Sequence, residues 1–427
     1  MISSPPRLTV AIVGAGFAGL ATAALLARAG HRVRVIDKFS KPDSIGAGIL
    51  IQPSGIAAMR VLGIDEEILS HGARVNHLYG VTRRRWPIVN IKYDDWQAGS
   101  FGVGLHRGVL FNALWRLAHE AGAQSQTGQD VCDLAALKAG HDLVVIADGC
   151  RSSLRVQTGL ASSDRVYPWG AVWAVLRDPQ HKYGKTLWQW YRGAKQMLGI
   201  MPTGNSPRGV NVVSLFWSLR ADRYEAFRKA GIDSFKRDVL QLNPDCGELL
   251  DQLQSMDDLT WARYHDVVMP AYHGDRCVVI GDAAHATSPQ LGQGTNLALL
   301  DAVVLAECLE QPLPLAESLA RYTQLRSKHL RFYGQASRWL TPLFQSDDWL
   351  LPFGRTLFMN LASKAPLVGR ITRETLVGVR QDWTSRTTLA MPGQPEAVPP
   401  LATIAAAGAA TPPFAAAAPV GPGQAAC

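Results

Sequence analysis

The chain has 427 residues, 47% of them hydrophobic and 18% charged, so it is neither a disordered polymer nor a disulfide-stapled miniature, and it has room for two domains. Its formal net charge of +8 suits phosphate-bearing ligands, but no Lys/Arg run exceeds Arg83-Arg84-Arg85, and no nucleic-acid partner is expected. Cys132, Cys150, Cys246, Cys277, Cys308 and Cys427 form no C-x-x-C pair and stand at no metal-ligand spacing from a histidine, so reduced cytoplasmic thiols are expected and a metal site is not.

Leu8 to Val13 is a short β-branched run that ends at a glycine, the pattern of a buried parallel strand. Phe17 to Ala29 is rich in Ala and Leu and stops at Gly30, which reads as a helix. Arg32 to Asp37 alternates around Val33, Val35 and Ile36 as a second strand. The uncharged stretch 10–27 is therefore a strand, a glycine turn and a helix, not a signal or membrane segment, and no other stretch is long and apolar enough to span. A Gly-containing loop over 41–52 leads to short helices over 53–62 and 65–71. Strands follow over 75–93, then a helix over 108–121 and a strand pair leading into Asp142–Ala147.

Residues 165–219 are the most β-like part, with apolar segments separated by Gly, Pro and Asn turns as in a meandering antiparallel sheet. Helices are expected over 221–256, strands over 261–269 and 276–280, and a helix over 294–309. A long helix over 314–340 carries Arg321, Arg326, Lys328, Arg331 and Arg338. Its basic face is compatible with weak peripheral contact to an anionic membrane. Residues 391–427 are rich in Ala and Pro with one charge, Glu396; such a segment cannot bury enough to fold, and a disordered tail is expected.

Two constellations carry chemistry. Gly14-Ala15-Gly16-Phe17-Ala18-Gly19 follows a strand and opens a helix. Gly14 permits the tight turn, Gly16 lets a pyrophosphate approach the backbone, and Gly19 lets helix and strand pack closely. The helix start supplies free N–H groups and the positive dipole end. Asp37 ends the second strand, placed for a ribose hydroxyl, and its charge disfavours a 2′-phosphorylated nucleotide. The second constellation is GDAAHATSPQLGQGTNLALLD over 281–301. Here Asp282 is placed to accept bonds from sugar or ribityl hydroxyls, and the helix start near Thr295-Asn296 offers amides to a polarised carbonyl.

These motifs, with DLVVIADGCRSSLR over 142–155 and His106-Arg107 before an apolar helix, resemble the class A flavoprotein monooxygenases, the para-hydroxybenzoate-hydroxylase-like family. The resemblance spans residues 8 to about 310. It implies an α/β fold: a doubly wound Rossmann-like FAD-binding domain (1–72, 100–164 and 270–312) interrupted by a mainly antiparallel β substrate domain (73–99 and 165–269). C-terminal helices over 313–390, with the apolar segment Trp349 to Met359, would pack beside the flavin domain. It further implies non-covalent FAD, NAD(P)H as reductant and O2 as co-substrate, with oxygen delivered from a flavin hydroperoxide to an aromatic or polycyclic small molecule, most simply as a hydroxylation.

Carried over residue by residue, Gly14, Gly16, Phe17, Ala18 and Gly19 would cradle the pyrophosphate, and Asp37 with Lys38 would flank the adenosine ribose. Val131 would touch the adenine side, Arg107 the pyrophosphate or ribityl region, and Asp282 the ribityl chain. Pro289, Gly292, Gly294, Thr295 and Asn296 would line the isoalloxazine ring. Asp148, with Arg155, would serve FAD and NAD(P)H. His285 is read as structural. No protein catalytic residue is assigned, because the flavin carries the chemistry.

On the substrate side, Trp188 and Trp190 are two apart and share one strand face. With Trp217 they would wall an aromatic pocket or fill a core. A monomer or homodimer is expected. Three other readings stay open. Trp188-Gln189-Trp190 is faintly similar to a flavin-dependent halogenase motif, but Tyr191-Arg192-Gly193 follows, and no Lys lies between Lys41 and Lys92. A flavin oxidase or reductase, or a non-catalytic FAD-binding module, would carry the same nucleotide site.

Overall fold

A computed structural model describes residues 6–41, 48–348, 351, 354–355 and 365–385. The tail expected over 391–427 lies outside them, as does most of the segment from Trp349 to Met359.

At the centre of a six-stranded sheet, β1 (Thr9–Val13) pairs in parallel with β2 (Arg32–Asp37) on one side and β9 (Leu143–Ile146) on the other. β8 (Gln124–Thr127) extends the sheet beyond β2, and β16 (Cys277–Val279) extends it beyond β9. β15 (His273–Gly274) closes that edge antiparallel. β1, β9 and β16 are buried on both faces, which is why they read as apolar runs, whereas β2 alternates with exposed Arg32 and Arg34. α1 (Phe17–Arg28) packs against α4 (Arg107–Glu120) and α10 (Gly294–Leu309). Its Ala/Leu composition suits a helix buried nearly all round. The strand order turns at β1, so a switch-point crevice opens at the β1 C-terminus, where Gly14 lies.

The expected strand pair before Asp142 is corrected. β8 is followed by a helix, α5 (Leu134–Gly140), because the Asp133 carboxylate accepts from the Ala135 and Ala136 amides and caps it. The helices expected over 53–62 and 65–71 are present as α2 (Pro53–Leu62) and α3 (Asp65–His71), and α6 (Ser153–Gln157) follows β9.

The second sheet has seven strands: β14 (Thr260–Val268), β10 (Ser163–Arg177), β13 (Asn211–Arg220), β12 (Gln196–Asn205), β11 (Thr186–Arg192), β5 (His77–Thr82) and β6 (Pro87–Lys92). It is antiparallel except where β5, from early in the chain, joins β11 in parallel. One face is covered by α7 (Tyr224–Leu242) and α8 (Gly247–Leu250). The other meets a small sheet of β3 (Gly48–Ile51), β7 (Gly102–His106) and β4 (Ala73–Val75). The two surfaces touch backbone to backbone. A Cβ at Gly104 would lie 1.8 Å from the Pro202 carbonyl oxygen, so only glycine lets β12 settle there. α9 (Asp282–His285), α11 (Leu315–Phe344) and α12 (Pro366–Val377) complete the fold.

Arg326 is not part of a solvated basic face. It is buried, and its Nε lies 2.7 Å from Oδ1 of Asp301, a fully buried carboxylate. The other Asp301 oxygen accepts from Gly281 N at 2.9 Å and lies 2.6 Å from His285 Nε2. Burial alone would raise the Asp301 pKa, but the charges of His285 and Arg326 and the hydrogen bonds lower it on balance, below the usual carboxylate range. The pair is therefore ionised at neutral pH, and removing one member leaves a buried charge unmatched. Arg326→Met should destabilise the fold by about 3–5 kcal/mol in thermal or urea unfolding at pH 7. The folded-state pKa of Asp301 is depressed, so the parent's advantage is full above the unfolded value of about 4 and shrinks as the pH falls below it. Equal stability of the two proteins at neutral pH would contradict this assignment.

Candidate functional site

The crevice at the end of β1 is built by glycines. Gly14 has φ +107°, and a Cβ there would lie 2.2 Å from the Ala147 carbonyl oxygen. Gly19 is equally close-packed, its Cβ position 2.0 Å from the Gly14 carbonyl oxygen. Gly16 differs: a Cβ built on it meets no protein atom within 4 Å, so the space above the start of α1 is open. Asp37 braces the turn, accepting from Ala15 N at 2.7 Å through one oxygen and from Phe39 N at 2.8 Å through the other. Lys38 beside it is exposed. The backbone at Gly128 and Gln129 donates to the Phe39 and Asp37 carbonyls, which brings half-buried Val131 to the same end of the site. Phe17 and Ala18 are buried in the first turn of α1.

On the opposite wall Arg107 opens α4, its guanidinium 5.1 Å from the Phe17 ring centroid. Its Nε is buried with no hydrogen-bond partner among the described residues. Burial lowers the Arg107 pKa, and the Asp282 carboxylate acts against that shift. Asp282 itself is exposed at the first position of α9, and its Oδ1 lies 4.0 Å from the Cβ position of Gly294 at the start of α10. Asp148 sits in the turn after β9 with Oδ1 buried and unpartnered, and burial raises its pKa against the Ser152 hydroxyl.

Arg155 is a staple between segments. Its NH1 donates to the Cys150 and Ala283 carbonyls at 3.1 and 2.8 Å, and its NH2 to Asp164 at 2.8 Å. His285 likewise contacts Asp301 rather than the open crevice.

The loop from Pro289 to Asn296 reaches α10, whose first intrahelical bond runs from Leu297 N to Gln293 O and leaves the Gly294, Thr295 and Asn296 amides beyond the helical ladder. Pro289 and Gly294 are exposed and Thr295 half-buried; Gly292 has φ +60°. The Asn296 side chain is already used. Its Oδ1 accepts from Gln52 N at 2.9 Å, and its Nδ2 donates to Gly292 O at 2.9 Å and Leu50 O at 3.3 Å. It can meet a ligand only through its backbone.

The aromatic wall expected from Trp188, Trp190 and Trp217 is corrected. Trp188 and Trp190 do share a face and stack at 6.0 Å. That face, however, is the one covered by α7 and α8, and Trp217 meets the α7 residue Phe235 edge-on at 5.9 Å. Alternation fixed the shared face but not which side of the sheet it was. The rows on the other face carry Leu187 and Tyr191 on β11, Met197 and Met201 on β12, Phe216 on β13 and Trp173 on β10. These pack with Tyr93, Phe344, Leu376 and Val377.

Gln52, Tyr93, Gln293 and Asp301 were not anticipated. Gln293 Nε2 donates to Leu376 O at 2.6 Å and ties the loop to α12. Only Asp301 carries a signal, a charge directly after the apolar ALL in α10; Gln52, Tyr93 and Gln293 stand in ordinary surroundings.

The crevice fits FAD. It offers open space over Gly16, an unmet buried Arg107 Nε, an unmet Asp148 oxygen and an exposed Asp282 beside the free amides of α10.

Comparison with known proteins agrees. The family described as "FAD binding domain" matches residues 7–333. Aurachin C monooxygenase/isomerase of Stigmatella aurantiaca is 27% identical over 387 residues, covering 86% of this chain and 97% of that protein. 6-Hydroxynicotinate 3-monooxygenase of Pseudomonas fluorescens is 26% identical, covering 73% and 84%. The crystal structure of Klebsiella pneumoniae HpxO with FAD and uric acid superposes with a TM-score of 0.70 at 20% identity, over 87% of this chain and 97% of that one.

Two substitutions separate ligand approach from folding. Gly16→Ala should leave the apoprotein melt within about 1 kcal/mol, yet weaken FAD binding by about 1–3 kcal/mol, one to two powers of ten. Asp282→Ala should weaken FAD by a similar amount through the lost charged acceptor. Unchanged FAD affinity in both variants, read by fluorescence titration of apoprotein, would mean the crevice is misassigned.

Proposed function

Because the chain belongs to the FAD binding domain family, that of the class A flavoprotein monooxygenases, we propose that it uses NAD(P)H and O2 to hydroxylate an aromatic small molecule. Family membership is established by the match over residues 7–333; the ring-hydroxylating chemistry is the proposal. The observation that carries it is the apolar cluster that Met201, Phe216 and Trp173 form with Tyr93 on the face of the second sheet away from α7 and α8. A flat apolar ring fits such a wall, and polar co-substrates do not need one. Relatives named as a 6-hydroxynicotinate 3-monooxygenase and a 3-amino-4-hydroxybenzoate 2-monooxygenase support a ring as the reacting group.

Bound FAD, once reduced by NAD(P)H, supplies the activation of O2. The chain's own residues do the rest. The amides at the start of α1 and the open backbone at Gly16 hold the pyrophosphate, Asp37 and Val131 the adenosine end, and Arg107 with Asp282 the ribityl region. The amides of Gly294, Thr295 and Asn296, at the positive end of the α10 dipole, would face the flavin ring and favour negative charge there. Met201, Phe216 and Leu376 exclude water from the reacting face.

Turnover under 18O2 with NADH or NADPH and 2-naphthol as probe is the test. A product that gains one 18O atom supports hydroxylation. A chloride-dependent product would favour the halogenase reading. Oxidation of NAD(P)H that yields only hydrogen peroxide with a bound probe would contradict the proposal.

A further inference from the structure

Two adjoining hollows of about 470 and 320 Å³ lie at the β14–β10 edge of the second sheet and share Val166, Tyr167, Pro168 and Arg220. Neither is lined by a residue of the flavin crevice. A bulge in β10 shapes them. Val166 pairs with His265 and Gly170 with Arg263, so Tyr167, Pro168 and Trp169 stand opposite Tyr264 alone. Bulged residues leave the regular ladder, and Tyr167 and Pro168 come to line both hollows.

The cations around the hollows are of two kinds. Arg220 is paired with Asp222 and Asp347, and Arg338 with Asp266. Arg165, in the larger hollow, and Arg263, in the smaller, are exposed and have no carboxylate partner among the described residues. Arg165 stands opposite Asp266 in the ladder, but that carboxylate is taken by Arg338. Arg263 lies three residues before Asp266 on β14, so two unpaired guanidiniums flank the bulge about 10 Å apart along the strand. Gln345, at the end of α11, lines the larger hollow and is 4% exposed, and its Oε1 meets no donor among the described residues. The Ser346 hydroxyl in the same wall is also buried and unmet.

An unmet amide oxygen needs a ligand that donates, which an ionised phosphate or carboxylate alone cannot do. The fitting ligand carries negative charge for the two arginines, hydroxyl donors for Gln345 and a flat ring for Tyr167 and Pro168. A dinucleotide has all three. The hollows also connect to the flavin loop. The Tyr167 hydroxyl bonds Thr341, whose Oγ1 lies 2.7 Å from Ser288 Oγ, and Ser288 precedes Pro289. Arg155, expected from the sequence to serve NAD(P)H, is buried, with NH1 given to the Cys150 and Ala283 carbonyls and NH2 to Asp164. The reductant needs another anchor.

We propose that the paired hollows are the docking site of the nicotinamide dinucleotide, with Arg165 and Arg263 taking its phosphates and Gln345 accepting from a sugar hydroxyl. This inference rests on the flavin monooxygenase reading above, which requires a reductant and leaves its site open.

Two measurements on the FAD-loaded holoprotein test it. ADP-ribose, which keeps the pyrophosphate and cannot reduce flavin, is titrated by calorimetry. NADH and NADPH are each mixed anaerobically with the oxidised holoprotein in stopped flow, where the concentration dependence of bleaching gives a Kd apart from the limiting rate. Arg165→Gln, Arg263→Gln and Gln345→Leu should each weaken ADP-ribose and the better reductant about fivefold, and the arginine double variant about tenfold or more. FAD per chain and the limiting bleaching rate should not change in the arginine variants. Lys229→Gln, which removes the same charge from α7, should alter neither affinity. Unchanged affinity in the arginine double variant, an equal loss in Lys229→Gln, or no binding of ADP-ribose to the parent holoprotein overturns the inference. Weakened 2-naphthol binding with reductant binding retained also overturns it, because the hollows would then admit the ring substrate. A parent flavin that neither dinucleotide bleaches is a failure of the monooxygenase reading, seen before any variant is compared, and the inference falls with it.

Discussion

Asp301 is the carboxylate on which the nucleotide site depends. Burying an ionised group is unfavourable unless every lone pair finds a donor, and here Gly281 N, His285 and Arg326 converge on one side chain. Gly281 has φ +60° and ψ −147°, a backbone state open to glycine alone, and its N–H is pinned by Asp301. Asp282 therefore emerges at the start of α9 with its carboxylate facing the crevice. The bracing continues through Arg155, which takes the Ala283 carbonyl of α9, the Cys150 carbonyl of the turn after β9, and Asp164 at the start of β10. Asp164 in turn meets His265 on β14 at 2.9 Å. Charged groups thus run from α11 under the crevice into the second sheet. Parts of the chain that are far apart in sequence reach the same site as one rigid frame.

The crevice is divided by what its glycines are for. Gly14, Gly19 and Gly104 are needed because protein backbone occupies the Cβ position, whereas at Gly16 nothing does. Only the last is a vacancy that a ligand would use. Polar side chains separate in the same way. Asn296, Gln293 and Arg155 spend their hydrogen bonds on carbonyls and amides of neighbouring segments. Arg107 and Asp148, at the edge of the crevice, keep an atom unmet, as do Gln52, Gln293 and Arg155 at one atom each. Those of Arg107 and Asp148 lie where the nucleotide would come, so a ligand there would satisfy groups that are costly to leave unmet.

Much of the frame is legible in the chain because it is local. The cradle, the two helices at 53–62 and 65–71, and the second glycine loop follow from periodicity and spacing within about twenty residues. What was illegible is relational. Trp188 and Trp190 declare a common face by their spacing, but the side covered by α7 is set by a contact dozens of residues away. β5 belongs beside β11 in parallel, a pairing that no hairpin signal announces. Arg326 is one of several cations on its helix. It differs from Arg321 and Lys328 by lying in register with Tyr322, His329 and Tyr333, the buried stripe, and that register was available in the sequence. Gln52 offered no such clue, because a polar residue at the end of a strand is ordinary.

The central claim is that segments from both ends of the chain form one site for one flavin nucleotide. The most direct measurement is the visible spectrum and FAD stoichiometry of purified protein, repeated after reconstitution of the apoprotein and after denaturation. The protein should be yellow, with one FAD per chain that is released intact on unfolding. A colourless protein that takes up no FAD at saturating concentration would contradict it.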